Sequence, residues 1–261
     1  MGQKAIFFDI DGTLWDFRNR IPESTRLAME QLRQNGHLCF INSGRARGFI
    51  NHPDLLSLGF DGIVSGCGTM IEYRDRTIFR HLIEPALAVR TVDIIRKYHV
   101  RPILEGPRYL YMDMEDFGRD PYGRKLIREM GDALKPLTAL RGRWEICKLA
   151  CDGTGGDLPG CCRELEKDFS MIFHNDAIVE MVPAGFSKGT GILEVCALLG
   201  VDPADTYAFG DGQNDMEMIR TAGHGVAMGD GTDGLKKAAD YITAPLFEDG
   251  VYKACVHFGL L

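Results

Sequence analysis

The chain has 261 residues, 45% of them hydrophobic and 26% charged, with a net charge of −7. That length holds one large domain or two modest ones, and the balance excludes a disordered or fibrous polymer. The negative charge argues against a nucleic-acid binder, which presents a basic face, yet it allows a phosphorylated small molecule in a locally positive, metal-loaded pocket.

Ala5–Ile10 is a short apolar run closed by carboxylates, and predicts a buried parallel strand with a site at its C-terminal end. Leu27, Met29 and Leu32 give helical spacing across Pro22–Gln34, which stops at Asn35-Gly36. His37–Asn42 predicts a second strand, Ser43-Gly44-Arg45 the opening of another helix, and Gly62–Ser65 a third strand. Strands alternating with helices require crossover connections, hence a mainly parallel sheet covered on both faces.

The texture changes near residue 69. Thr69–Tyr73 and Thr77–His81, joined by Arg74-Asp75-Arg76, predict a hairpin that is expected in a different sheet. Helices at Pro85–Tyr98 and Gly123–Ala133 alternate with strands at Arg101–Leu104, Tyr109–Met112 and Glu145–Ala150. A second hairpin, Met171–His174 with Ala177–Val182, turns at Asn175-Asp176. After Pro183-Ala184-Gly185 the crossover pattern returns, with helix Lys188–Leu199, strand Thr206–Phe209, helix Asp215–Thr221 and strand Gly225–Met228. Helix Thr232–Ala239, strand Tyr241-Ile242 and helix Val251–Phe258 follow. The economical reading is one α/β core in two pieces, 1–79 and 186–261, interrupted by an α+β insert at 80–185.

Chemistry collects where core strands end. Asp9 and Asp11 follow the first strand and share its side-chain parity, and Gly12 lets the chain turn away. Two carboxylates this close call for a cation or a shared proton; Asp-Gly-Thr is also ordinary turn chemistry. Ser43, at the end of the second strand, offers a hydroxyl for an anion or a plain N-cap. Lys188 opposes the dipole of the helix it begins, which a bound anion would explain, although a surface lysine is the commoner case. Gly210-Asp211-Gly212-Gln213-Asn214-Asp215 places two more carboxylates in a glycine-rich turn, a donor set that suits oxygen ligation of Mg²⁺ or simply caps the next helix. Parallel strands would bring all of these to one edge.

In order, Asp9-Ile-Asp-Gly-Thr-Leu14, Asn42-Ser-Gly-Arg45, Lys188-Gly189, Gly210-Asp-Gly-Gln-Asn-Asp-Met216 and Gly225-Val-Ala-Met-Gly229 resemble the haloacid dehalogenase-like (HAD) hydrolases, specifically the Cof-type subfamily with a type IIB cap. Ala239-Asp240 and Glu248-Asp-Gly-Val251 continue the match, whereas the insert fits by length and placement only. The resemblance implies a Rossmann-like parallel-sheet core with helices on both faces, plus an inserted α+β cap domain. It further implies an Mg²⁺-dependent phosphatase acting on small phosphorylated metabolites, sugar phosphates first, then pyridoxal or flavin phosphates. Asp9 would be the nucleophile that becomes an aspartyl phosphate, and Asp11 the acid and then the base. Asp9, the backbone carbonyl of Asp11, and Asp211 would hold the metal, with Asp215 supporting it. Ser43, Gly44, Lys188 and Asn214 would bind phosphate. Related chains carry Asn-Gly-Ala where this one has Cys67-Gly68-Thr69, and Asn-Ala where it has Asp230-Gly231.

Generic phosphate chemistry in the core leaves discrimination to the insert, whose 16 basic residues nearly balance 17 acidic ones. Arg108, Tyr109, Tyr111, Arg119, Arg124 and Trp144 are candidates for the leaving group, although each residue type serves more often as surface or packing; His174 reads as a sheet residue. The eight cysteines are scattered with no Cys-x-x-Cys, which predicts buried reduced thiols. With no signal-peptide pattern and no apolar run of membrane length, a soluble cytoplasmic chain is expected, without membrane or nucleic-acid partners. The oligomeric state is left open, a monomer being compatible with the reading. The rival readings are phosphomutase-type phosphoryl transfer and a non-catalytic phosphometabolite-binding module; retention of Asp9 and Asp11 weighs against the latter.

Overall fold

A computed structural model of the chain describes residues 2–117 and 120–261. The strands among them are β1 (Ala5–Phe8), β2 (Leu38–Asn42), β3 (Gly62–Ser65), β4 (Met70–Tyr73), β5 (Arg76–Arg80), β6 (Arg101–Glu105), β7 (Leu110–Tyr111), β8 (Leu134–Lys135), β9 (Lys148–Asp152), β10 (Phe169–Phe173), β11 (Ile178–Pro183), β12 (Thr206–Gly210), β13 (His224–Ala227) and β14 (Tyr241–Ile242). They form two sheets, and the chain divides into two compact units, one of residues 1–44, 51–80 and 187–261 and one of residues 45–50 and 81–186.

The first unit holds the sheet ordered β14-β13-β12-β1-β2-β3-β4-β5. From β14 through β3 every pairing is parallel. All four residues of β1 are buried, so the sheet is covered on both faces, as its unbroken apolar run requires. Ala5 and Phe7 face a core completed by Ile192, Val195, Met218, Ile219 and Leu235. The helices Glu23–Gln34 and Gly250–His257 pack against each other. The former buries Thr25, Ala28, Met29 and Leu32, while Leu27, expected on its apolar stripe, faces solvent. After β1 the chain builds outward through β2 and β3, and later returns on the other side of β1 as β12. That reversal opens a crevice at the C-terminal end of β1, the usual ligand position in such sheets.

Two expectations need correction. The hairpin β4–β5 belongs to this same sheet, because β4 pairs antiparallel with β3, Val64 opposite Ile71. Gly66, Cys67 and Gly68 all take positive φ, at 57°, 54° and 85°, and turn the chain back so sharply that the next strand joins the one just left. No helix opens at Ser43; a 3-10 turn at Arg47–Phe49 and a short helix at Pro53–Leu56 follow, since Gly44, Gly48 and Pro53 interrupt any longer one.

The second unit carries the sheet ordered β10-β11-β9-β6-β7-β8, antiparallel except for β7 with β8. Helices Pro85–Lys97 and Leu158–Leu165 cover one face through Val92, Ile95, Cys161 and Leu165. The second of these helices carried no prediction, because Gly153–Gly160 with Pro159 reads as loop; Asp157 caps it by accepting from the Gly160 N–H at 2.9 Å. All eight cysteines are free and buried, as the composition predicted. No helix among the described residues is long and apolar enough to cross a membrane.

Candidate active site

The site is built at the tip of β1. Asp9 leaves the strand with its N–H still bonded to the Phe209 carbonyl at 2.9 Å, and the residue is 5% exposed. Two residues on, Asp11 is exposed and accepts a 3.0 Å hydrogen bond at Oδ1 from the indole N–H of Trp15. Gly12, next after Asp11, has φ +82°, and a Cβ there would lie 2.3 Å from Asp211 Oδ2. The position therefore needs glycine twice over, for its backbone and for the approach of Asp211.

Lys188 begins the helix Lys188–Leu199, whose N-cap Ser187 forms a reciprocal capping box with Thr190. Its ammonium is almost wholly buried and donates to Asp9 Oδ1 at 2.5 Å and Asp215 Oδ1 at 2.6 Å. The lysine is thus an internal bridge, and the surface reading is wrong: two carboxylates supply the negative charge that justifies a cation at a helix N-terminus. Asn42, at the end of β2, fixes its backbone by donating from Nδ2 to the Lys188 carbonyl at 2.9 Å. Sequence reading gave Asn42 no task of its own, because this partner is 146 positions away.

The turn after β12 closes the cluster. Asp215 is buried, and its Oδ2 accepts the N–H groups of Asp211 and Gly212, both at 2.9 Å, which pins the loop carrying Asp211. Carboxylate oxygens of Asp9, Asp211 and Asp215 all lie within 4.8 Å of one another. Burial, more than Asp215 and Asp211, raises Asp9 against the pull of Lys188 to about 8. Burial again, with Asp215 and Asp230 adding repulsion, raises Asp211 to about 7. For Lys188, burial favours the neutral amine, but Asp215 and Asp9 outweigh it and hold the charge in place.

The remaining candidates stand nearby in the same unit. Ser43 follows β2, whose Ile41 is level with Phe8 of β1, so Ser43 and Gly44 leave the sheet at the same edge as Asp9. The Ser43 carbonyl accepts from the Cys67 N–H at 3.1 Å. Cys67 therefore steadies this loop from a left-handed conformation, φ 54°, that asparagine would adopt with less strain. Asn214 sits in the Asp211 turn, its Oδ1 beside Gly212. Asp230 adds to the repulsion felt by Asp211.

The insert candidates sort differently. Trp144 and Tyr111 are buried packing residues; the indole donates to the Leu137 carbonyl at 3.0 Å, and the phenol oxygen accepts from the Glu145 N–H at 3.3 Å. Arg108, Tyr109 and Arg124 are exposed, and Arg119 lies outside the described residues. His174 falls just beyond β10, with Nε2 at 3.0 Å from Glu180 Oε1.

A parallel sheet with a switch point at β1, a carboxylate at that strand's tip and a lysine-bridged acidic cluster define a class of hydrolase. The chain belongs to the haloacid dehalogenase-like hydrolases, whose family model matches residues 6–255, and is an enzyme of the phosphatase kind within the Cof-type branch. It is 34% identical over 270 residues to YkrA of Bacillus subtilis (strain 168), a protein named provisionally as a phosphatase, with both chains covered in full. It is 26% identical over 273 residues to the 5-amino-6-(5-phospho-D-ribitylamino)uracil phosphatase YwtE of the same organism, with 95% of each chain covered. Among solved structures, the HAD subclass IIB sugar phosphatase BT4131 superposes with a TM-score of 0.83 at 29% identity, over 99% of this chain and all of that one.

Proposed function

We propose that the protein hydrolyses phosphate monoesters of small metabolites by way of an aspartyl phosphate on Asp9, in the cytoplasm. One observation carries the reading above the rest: Asp9 is buried at the strand tip, gripped by Lys188, within 4.8 Å of two further carboxylates. Three clustered aspartates, 9, 211 and 215, share one lysine, so the cluster is short of positive charge and offers only hard oxygen donors. That donor set fits Mg²⁺ held by Asp9, the Asp11 carbonyl and Asp211, with Asp215 supporting Asp211. When bound, Mg²⁺ would supply positive charge for the substrate's phosphoryl oxygens.

The chain's own residues carry the steps. A carboxylate oxygen of Asp9 forms a bond to phosphorus while the bond to the leaving oxygen breaks; Asp11 gives that oxygen its proton. Asp11, now ionised, takes a proton from water, whose oxygen attacks phosphorus and returns Asp9 as carboxylate. Lys188, Ser43, the Gly44 N–H and Asn214 donate to phosphate oxygens as charge builds on them. Sugar phosphates are the first substrate class, with pyridoxal and flavin phosphates next; the names of BT4131 and YwtE support a hydroxyl-rich organic group. Eight buried free thiols suit the reducing cytoplasm.

A panel of phosphorylated metabolites assayed with Mg²⁺, with EDTA and with Asp9→Asn tests the proposal. Phosphate release is expected only with metal, and Asp9→Asn is expected to fold but lose at least about a thousandfold in turnover. Undiminished turnover by Asp9→Asn rules out the covalent route.

A further inference from the structure

Residues 45–50 follow β2 and the Ser43-Gly44 turn directly, yet they belong with the second unit. Features of different kinds hold this short arm there. Phe49 packs on the apolar cluster of Ile103, Leu110, Met112, Phe117 and Leu126. Gly48 runs so close to the Arg108 backbone that a Cβ would stand 3.3 Å from the carbonyl carbon and oxygen. The Ala46 N–H donates to the Glu105 carboxyl group.

The arm has a defined shape. The Phe49 N–H donates to the Ala46 carbonyl at 2.9 Å, the Arg47 guanidinium donates to the Ile50 carbonyl at 2.7 Å, and Ala46 and Ile50 are buried. Glu105 is fixed in turn. Strand register sets it directly opposite Lys148, whose ammonium lies 3.6 Å from Glu105 Oε2 and is also hydrogen-bonded to Glu180.

The preceding stretch of chain is fixed as well. Ser43 donates its N–H to the Val64 carbonyl at 2.9 Å and accepts from the Cys67 N–H at 3.1 Å, both partners lying in the first unit. Gly44 and Arg45 are all that separates these two held points, with at most about 11 Å of chain from Ser43 to Ala46. Glycine has no Cβ to restrict its backbone, so the direction of the Gly44 N–H follows from how its flanks are held.

We propose that Phe49 and Glu105 are positioning residues for the phosphate group: they hold the arm, and the arm orients the Gly44 peptide so that its N–H meets a phosphate oxygen without first having to be ordered. This role presupposes Gly44 as a phosphate donor, as proposed above. It differs from choosing a leaving group, because phosphate is common to every substrate, so the effect of losing it is the same for all esters.

Phe49→Ala and Phe49→Leu test this with p-nitrophenyl phosphate and ribose 5-phosphate as esters and inorganic phosphate as inhibitor. Phe49→Ala is expected to lower kcat/KM about tenfold on both esters alike and to raise the Ki of inorganic phosphate about tenfold, with Phe49→Leu within about threefold of wild type. Glu105→Ala should act in the same direction, and Glu105→Gln, which keeps an acceptor for the Ala46 N–H, should recover to within about threefold. In the full chain without substrate, ¹⁵N relaxation should show the Gly44 order parameter falling from about 0.85 to below about 0.6 in Phe49→Ala, with Phe7 of β1 unchanged. A wild type that releases phosphate from no ester sinks the phosphatase reading, and the Gly44 order parameter then decides the role of the arm by itself. A loss confined to one ester, unchanged inhibition by phosphate, or an unchanged order parameter at Gly44 overturns the proposal.

Discussion

Trp15 contributes more than bulk to the turn after β1. Its ring is buried edge-on to His52, with centroids 5.1 Å apart, and its N–H reaches the otherwise exposed carboxylate of Asp11. An exposed aspartate samples several rotamers, and the bond from Trp15 contributes to favouring one orientation. Trp15→Phe keeps most of the packing and removes the donor. Turnover is expected to fall roughly tenfold with KM nearly unchanged, because the carboxyl proposed as proton donor is then less often aimed. Steady-state kinetics checks this beside a melting curve that shows the fold retained, and an unchanged kcat would remove Trp15 from the mechanism. The sequence announces Asp11 by its spacing from Asp9, but nothing in it says that the indole four residues later turns back to meet it.

At the scale of elements, one side chain ties together three pieces of the core. Lys188 brings the start of its helix against the tip of β1 through Asp9 and against the turn after β12 through Asp215. Lys188→Met leaves two buried carboxylates without their cation, which is expected to cost about 3–5 kcal/mol. Protonation of Asp9 relieves part of that, so the loss should be smaller at pH 5 than at pH 8. Urea unfolding at both pH values measures it, and an equal loss at the two would show that Asp9 is not the group left uncompensated. The strand–helix alternation of this unit is legible in the sequence because each strand is a short apolar run bounded by turn residues. The sheet to which β4 and β5 belong is not legible, because it depends on the backbone of the turn at Gly66–Gly68 rather than on the hairpin itself.

For the whole molecule the acidic cluster sets a pH dependence. Asp9 and Asp211 stand at about 8 and about 7 against an ordinary value of 3.8. Glu105, in the second unit, is displaced upward as well, with burial outweighing Lys148. Glu180, lowered to about 2, with Asp16, Asp93 and Glu164, also lowered, act oppositely around and below their ordinary values. His37, lowered by burial, takes back part of the effect below about pH 6.5. Between about pH 5 and pH 8 the raised Asp9 and Asp211 still dominate, so the folded chain binds more protons than the unfolded one and its stability falls as pH rises. A divalent cation bound as proposed would replace those protons, so the gain in melting temperature from millimolar Mg²⁺ should be small near pH 5 and grow towards pH 8. Scanning calorimetry with EDTA and with Mg²⁺ across that range checks both slopes. A metal-free protein that becomes more stable from pH 5 to pH 8 would contradict the raised carboxylates.

The sequence by itself determined the alternation of strands and helices and the interruption of the core by an insert, and it put forward Asp9, Asp11, Ser43, Lys188, Asp211 and Asp215 as candidates for the chemistry. These follow from local rules, since apolar periodicity, glycine turns and carboxylates at strand ends are read within a few residues. Only the tertiary structure decided what those groups do to one another. The Lys188–Asp9 bridge spans 179 positions. The Asn42 amide holds Lys188 through its carbonyl, and the ion network of the insert exists because register sets Glu105 opposite Lys148. Strand order and register bring such pairs together, and the resulting burial sets their charge states; neither is a property of any short stretch of chain.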